Sequence, residues 1–149
     1  MFDDIYNRKI LELAANIPRL GRLEAPQASA EAHSRLCGSS IIVDLSLSDG
    51  KVADYAQDVK ACALGQAASS VMGRHIIGAT PHELRTLRET MRSMFKENGP
   101  PPLGRFADAG VLEPARDYKA RHASMLLVFD AVVAALDKIE KGGAVGPRQ

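Results

Sequence analysis

Hydrophobic and polar positions alternate most regularly over residues 40–47. The apolar positions on one side of this pattern are Ile41, Val43, Leu45 and Leu47. A period of two is typical of a β-strand with one buried face. The following Ser48-Asp49-Gly50 supplies the positive φ of a tight turn, and residues 51–60 predict a second strand. The sequence therefore predicts an antiparallel hairpin.

Helical spacing of apolar residues predicts helices on both sides of this hairpin. The predicted helices cover residues 3–19, 62–72, 80–96 and 123–140. Thr80 and Glu83 have the spacing of a capping box, with Pro81 at the first helical position. Because strands and helices are segregated along the chain, the predicted fold class is α+β.

The remaining segments are predicted to be mostly irregular, with one short strand and one short helix. Residues 23–30 form a connector and residues 32–36 a short strand. A mobile loop is expected up to residue 110, followed by one short helix from Pro114. We expect a single domain over residues 1–141 and a disordered tail over residues 142–149.

Composition and charge narrow the class of protein. The chain has 149 residues, 46% of them hydrophobic and 25% charged, with a net charge of +1. Such a balance gives no electrostatic reason to expect nucleic acid as a partner, and the basic residues are dispersed. No run of about 20 apolar residues is present to span a membrane. The acidic start at Asp3 and Asp4 lacks a secretion pattern, so a cytoplasmic location is expected.

The two cysteines, Cys37 and Cys62, flank the predicted hairpin. The outer ends of a hairpin are neighbours, so we expect the two thiols to lie close together at one end of the sheet. In a reducing compartment this pair favours a metal site, with a single disulfide as the alternative.

Cys62 stands at the predicted start of a helix, where free N–H groups and the helix dipole favour the thiolate. The nearby Lys60 acts in the same direction. The alternative for Cys62 is a buried structural cysteine. Cys37 precedes Gly38, whose backbone could approach a bound ion closely.

His122 stands at the predicted start of the last helix. The alternative for a lone histidine there is a helix-terminal or surface residue. With Cys37 and Cys62 it would make a three-ligand site with one open position, which suits zinc or a delivered iron–sulfur cluster.

Three segments resemble the iron–sulfur cluster scaffold family of the IscU, SufU and NifU N-terminal type. Leu36-Cys37-Gly38-Ser39 is similar to the family's Cys-Gly-Asp motif before a strand. Cys62 and the small, serine-rich residues after it resemble the family's second motif. Arg121-His122-Ala123-Ser124-Met125 is similar to the family's His-Cys-Ser-Met start of the last helix.

This resemblance implies a three-stranded antiparallel sheet with helices on one side. It also implies a scaffold, not an enzyme, that binds iron and a transient [2Fe–2S] cluster at Cys37, Cys62 and His122. Its expected partners are a cysteine desulfurase, an iron donor and the apo iron–sulfur recipient proteins.

Two departures from the family pattern concern the ligands. Ser39 stands where the family has an acidic ligand, and Ala123 where it has a third cysteine. In a different alignment, as in the SufU branch, His122 itself corresponds to the family's third cysteine. A [2Fe–2S] cluster takes about four protein ligands, so a homodimer with two thiolates per chain would complete the set.

Two other functions are compatible with these residues. One is a zinc-binding sulfur acceptor or regulator of a desulfurase, and the other is an interaction module that has lost the complete site. An independent hydrolase is not expected, because the sequence contains no nucleophile elbow, phosphate-binding loop or His-Glu-x-x-His motif.

Overall fold

The computed structural model describes residues 8–35 and 38–145 of the chain. In chain order the helices and strands are α1 (Arg8–Ala15), β1 (Ala28–Ser34), β2 (Ser39–Ser48), β3 (Lys51–Lys60), α2 (Ala63–His75), α3 (Pro81–Lys96) and α4 (His122–Val145). Two 3-10 segments, Gly104–Asp117 and Lys119–Arg121, connect α3 to α4. The predicted α+β class is confirmed.

The three strands form one antiparallel sheet in the order β1-β2-β3, with β2 in the centre. The predicted hairpin is present, with Ser48 paired to Lys51. Asp49 and Gly50 both have positive φ, 54° and 74°. Two consecutive residues of this conformation match the right-handed twist of the flanking strands.

One face of the sheet forms the core together with the helices. The β2 residues on this face, Ile41, Val43 and Leu45, are all buried. α4 packs against β1 and β2, and α2 packs against α4 and β3. Small residues of α2 such as Ala67, Ala68 and Gly73 are buried, which lets the helix lie close to its neighbours.

The boundaries at the start of the chain differ from those predicted. β1 begins at Ala28, inside the predicted connector, because alanines provide its buried positions and do not stand out as a strand pattern. α1 ends at Ala15 and not near residue 19, since Pro18 follows closely and disfavours helical geometry before it. Residues 3–7 of the predicted first helix lie outside the described residues.

The prediction of a loop up to residue 110 holds for residues 98–103, which have no regular structure, and is wrong from residue 104 onwards. Residues 104–117 form a 3-10 segment with a kink at Phe106, where φ is −105° and ψ is 24°. Its buried residues are Phe106, Ala109, Leu112 and Ala115. Every third residue is buried, which is the repeat of a 3-10 helix and not of an α-helix. The segment packs on α2 and α3 through these side chains.

The later helices follow the predictions closely. Thr80 and Glu83 form the capping box at the start of α3, each side chain bonding the other residue's backbone N–H. α4 extends to Val145, beyond the predicted end at residue 140. The first four residues of the predicted tail are thus helical, and residues 146–149 lie outside the described residues.

The other face of the sheet holds a buried carboxylate. Asp44 of β2 accepts two hydrogen bonds from the guanidinium of Arg22, at 2.7 and 3.0 Å, and one from the backbone N–H of Leu23 at 2.9 Å. The hydroxyl of Ser29 also donates to it. These bonds fasten the segment between α1 and β1 across the sheet.

The free edges of the sheet are partly covered. At β3, the N–H and C=O of Val52 bond to Ala79 and Gly78, and those of Gln57 bond to Arg19 and Gly21. At β1, the ammonium of Lys138 donates to the carbonyl of Ser29.

None of the described helices combines the length and the apolar character that crossing a membrane requires.

We predict that Asp44→Asn lowers the free energy of unfolding by about 1–3 kcal/mol near neutral pH, because hydrogen bonds to a charged acceptor are lost. Although burial opposes it, the hydrogen bonds from Arg22, Ser29 and Leu23 hold the pKa of Asp44 below its usual value. The stabilisation is therefore complete above the pKa of unfolded aspartate and is lost as pH falls through the lower folded-state pKa.

Urea unfolding at several pH values measures this difference. Asp117→Asn is the control, since Asp117 is exposed and lies outside the sheet. The prediction would be contradicted if the difference in the free energy of unfolding between wild type and Asp44→Asn stayed constant as the pH is lowered to the acid transition.

Candidate functional site

Cys62 lies immediately before α2 and is its N-cap residue, with φ −71° and ψ 174°. Its carbonyl accepts the first helical bond, from Gln66 N at 2.8 Å. The side chain is half-buried. The first N–H groups of the helix have no helical partner and are available to the sulfur.

A chain of hydrogen bonds connects Cys62 to the start of β2. Cys62 Sγ lies 3.4 Å from Ser124 Oγ, and Ser124 Oγ lies 3.2 Å from Ser39 Oγ. Ser39 and Ser124 are 3% and 1% exposed. The beginnings of α2, α4 and β2 therefore meet at one buried hydroxyl, that of Ser124.

Gly65 permits this meeting of the two helices. A Cβ atom at residue 65 would lie 2.5 Å from Ser124 Oγ, 3.1 Å from the Ser124 carbonyl oxygen and 2.8 Å from Ala61 Cβ. The first turn of α2 thus touches the first turn of α4 at a distance that only glycine allows.

The surroundings of Cys62 favour the thiolate. Burial alone would raise the pKa of the thiol. Hydrogen bonds from the Ser124 hydroxyl and from the backbone N–H groups of Gly65 and Leu64 have the opposite effect. The charge of Arg121 adds to them, and the net result is a pKa of Cys62 below its usual value.

His122 is the first residue of α4 and is 4% exposed. Its ring stacks on Phe95 with 5.3 Å between ring centroids, and Nε2 lies 2.6 Å from the Arg116 carbonyl oxygen. Because a carbonyl oxygen only accepts, Nε2 carries the proton. In the neutral ring Nδ1 then holds the lone pair.

Of the three predicted site residues, the structure describes Cys62 and His122, which come from the starts of two helices. Cys37 lies outside the described residues. Gly38, which follows it, has φ 66°, the left-handed conformation that glycine adopts at no steric cost. Within residues 8–35 and 38–145, no three His, Cys, Asp or Glu side chains are grouped so as to hold a metal ion.

Ser124 and Gly65 are site residues that the sequence reasoning did not select. Both belong to quoted segments, the small-residue stretch after Cys62 and the stretch after His122. Neither type of residue has a spacing that signals chemistry, and only the packing of α2 on α4 assigns them to the Cys62 environment.

Comparisons with known proteins agree on one family. Residues 5–124 match the model of the NifU-like N terminal domain. The iron–sulfur cluster assembly scaffold protein IscU of Thermotoga maritima is 28% identical over 142 residues, covering 95% of this chain and 99% of the relative.

Two solved structures have a similar fold. The N-terminal NifU-like protein of Brucella abortus is 59% identical, with a TM-score of 0.92 over 94% of this chain and 97% of that one. A protein of Fervidobacterium islandicum described as a cluster assembly scaffold for the SUF system is 22% identical, with a TM-score of 0.79. That match covers 90% of this chain and 98% of the other, and it supports the fold alone.

We predict that Ser124→Ala raises the pKa of Cys62, because the thiolate loses a hydrogen bond while burial is unchanged. The pKa of Cys62 is measured from the pH dependence of alkylation by iodoacetamide. The background is Cys37→Ser, in which Cys62 is the single thiol. Ser46→Ala, far along β2, is the control. An unshifted pH midpoint in Ser124→Ala would contradict the assigned hydrogen bond.

We also predict that Gly65→Ala lowers the free energy of unfolding by about 1–3 kcal/mol, since overpacking forces the two helices apart. Gly142→Ala is the matched control, because a Cβ at this helical position meets nothing within 4 Å. It should stabilise the protein slightly through helix propensity. Denaturant unfolding gives the free energy of unfolding of both variants. If the two substitutions changed it equally, the close contact between the helices would be contradicted.

Proposed function

Because the chain belongs to the NifU-like N-terminal domain family of iron–sulfur cluster assembly scaffolds, we propose that it binds iron and a transient [2Fe–2S] cluster and passes this cluster to recipient proteins. Cys37, Cys62 and His122 are the proposed ligands. A cysteine desulfurase, an iron donor and the apo recipient proteins are the proposed partners. The cluster is cargo in this proposal and not a permanent cofactor.

The observation that carries the proposal is the environment of Cys62. The thiolate is the form of cysteine that binds iron and attacks sulfur. Here the thiol is half-buried at the start of α2, and hydrogen bonds from Ser124 and two backbone N–H groups lower its pKa. A structural cysteine within the core would have no need of these donors.

His122 has the arrangement that is usual for a histidine ligand. Metal-bound histidines commonly donate the second ring N–H to a carbonyl or carboxylate, which fixes the tautomer and the orientation of the ring. The bond from Nε2 to the Arg116 carbonyl and the stacking on Phe95 hold the ring in one orientation, and Nδ1 is the nitrogen that we propose as the ligand.

The position of Cys37 in the chain is compatible with the same site. Only Gly38 separates it from Ser39, whose hydroxyl bonds Ser124. This is support from chain connectivity alone.

One chain supplies an incomplete set of ligands. Ser39 and Ser124 offer neutral hydroxyls, which are poorer ligands than carboxylates or thiolates. With Cys37, Cys62 and His122 as ligands, one chain falls short of the about four ligands that a [2Fe–2S] cluster takes, and the thiolates of a second copy would complete the set. The proposal therefore includes a homodimer in the loaded state.

Anaerobic reconstitution with iron and sulfide tests the proposal. Wild type should gain the visible absorption bands of a cluster and a larger mass by gel filtration, while Cys37→Ser and Cys62→Ser should lose the bands. His122→Gln should load poorly although it folds, because the amide can replace the Nε2 contact but not Nδ1.

Ser46→Ala is the control for loading. Absence of cluster bands in wild type would refute the scaffold function. A loaded monomer with one complete cluster would refute the homodimer.

A second candidate is a zinc-binding sulfur acceptor for a cysteine desulfurase. The observations that favour it are the thiolate environment of Cys62 and the absence of a carboxylate ligand at Ser39. Metal analysis of anaerobically purified protein separates the two functions. Stoichiometric zinc that persists after reconstitution, without cluster bands, would favour the second candidate.

A further inference from the structure

Two buried hydroxyl groups lie in line with the Cys62 sulfur. Ser124 Oγ is 3.4 Å from Cys62 Sγ, and Ser39 Oγ is 3.2 Å from Ser124 Oγ. Ser39 begins β2 and is paired there with Ser34 of β1. Its position is therefore set by the sheet, whereas Cys62 and Ser124 belong to the starts of α2 and α4.

The number of hydrogens fixes the direction of these two bonds. Each hydroxyl has one hydrogen to donate and two lone pairs that accept, whereas a thiolate only accepts. When Cys62 is a thiolate, the bond between Ser124 and the sulfur uses the Ser124 hydrogen. The bond between the two serines must then use the hydrogen of Ser39. The bonds thus run in one direction, from Ser39 through Ser124 to the sulfur.

In this arrangement Ser39 influences the sulfur in two ways. Its hydrogen points at Ser124 Oγ, so the Ser124 hydrogen cannot point back at Ser39 without the two hydrogens meeting. A hydroxyl that accepts a hydrogen bond is also polarised by it and becomes a stronger donor. Both effects keep the Ser124 hydrogen on Cys62 Sγ.

The surroundings of the two hydroxyls strengthen these effects. Both serines are almost completely buried, so water competes little for their hydrogens. The first turn of α2 confines the Ser124 hydroxyl, since a Cβ atom at residue 65 would lie only 2.5 Å from Ser124 Oγ. The Ser124 hydrogen therefore has a choice between the sulfur and Ser39, and the hydrogen of Ser39 decides it.

We propose that Ser39 is a positioning residue for the Cys62 thiolate: it donates a hydrogen bond to Ser124 and thereby holds the Ser124 hydrogen on the sulfur. Ser39 acts through Ser124 in this role and does not act as a ligand. The order of the hydrogen bonds is a property of the chain without cargo. Its importance for binding iron and sulfur rests on the proposed function, in which Cys62 is the thiolate used.

The chemistry required at residue 39 follows from this role. A hydroxyl both donates and accepts, so it can serve Ser124 without adding charge next to the thiolate. A carboxylate at the same position would have no hydrogen to give and would accept the Ser124 hydrogen itself. The sulfur would then lose a donor and gain a negative neighbour, and both changes disfavour the thiolate.

A double-mutant cycle tests the proposal. Ser39→Ala, Ser124→Ala and the double variant are made in a Cys37→Ser background, in which Cys62 is the single thiol. The measurement is the rate constant of alkylation by iodoacetamide at alkaline pH, where the rate no longer depends on pH because Cys62 is fully thiolate. A donated hydrogen bond makes a thiolate less nucleophilic, so loss of the bond raises this limiting rate.

We expect Ser124→Ala to raise the limiting rate about 3-fold and Ser39→Ala to raise it by a smaller factor. In the Ser124→Ala background, Ser39→Ala should have no further effect, because one residue acts through the other. Ser46→Ala is the control and should leave the rate unchanged, since its hydroxyl bonds the backbone N–H of Gln27. The same increase from Ser39→Ala in both backgrounds, or no increase in either, would overturn the proposal.

A matched pair of variants separates the hydrogen bond from packing. Ser39→Thr keeps the hydroxyl and Ser39→Val has the same shape without it, and both β-branched residues suit a strand. The threonine variant should keep the rate of the background protein, and the valine variant should match Ser39→Ala. Equal rates in the two would attribute the effect to packing and overturn the positioning role. If the valine variant does not fold, the alanine cycle decides alone.

Failure of this inference can be distinguished from failure of the proposed function. Alkylation needs neither metal nor sulfide. If wild type forms a cluster on reconstitution and the cycle shows no coupling between Ser39 and Ser124, the scaffold function stands and the positioning role is refuted. Coupling in the cycle without cluster bands on reconstitution would give the opposite result.

Discussion

The close contact between the first turns of α2 and α4 determines the geometry of the site. Gly65 leaves room for Ser124, and Ser124 then reaches both Cys62 and Ser39. The site is thus built from the beginnings of three elements that are far apart in sequence. Two of them are helix starts, whose unpaired N–H groups favour negative charge, so the same contact that closes the core also prepares the thiolate.

The β2–β3 hairpin, α3 and α4 could be predicted from the sequence because their local signals are strong. The alternation over residues 40–47, the Asp49-Gly50 turn and the Thr80–Glu83 capping box each depend on neighbouring residues only. β1 begins earlier than the sequence predicts, because the alanines at its buried positions differ little in hydrophobicity from their polar neighbours. The 3-10 segment follows neither the strand period nor the α-helical period, because its buried residues Phe106, Ala109, Leu112 and Ala115 recur at every third position.

The candidate site was predictable only in part. The helix-start position of Cys62 followed from local pattern and is confirmed, whereas His122 was included through family resemblance. The role of Ser124 depends on packing between helices that are about sixty residues apart, which no local pattern encodes.

The covered sheet edges have a consequence for encounters between copies of this chain. Open strand edges are templates on which other chains assemble into extended sheets. Here backbone N–H and C=O groups at the sheet edges form hydrogen bonds within the molecule. They belong to Val52, Gln57 and Ser29. When two copies collide, fewer unpaired strand groups are therefore open to pair across the two molecules, which disfavours growth of an extended sheet.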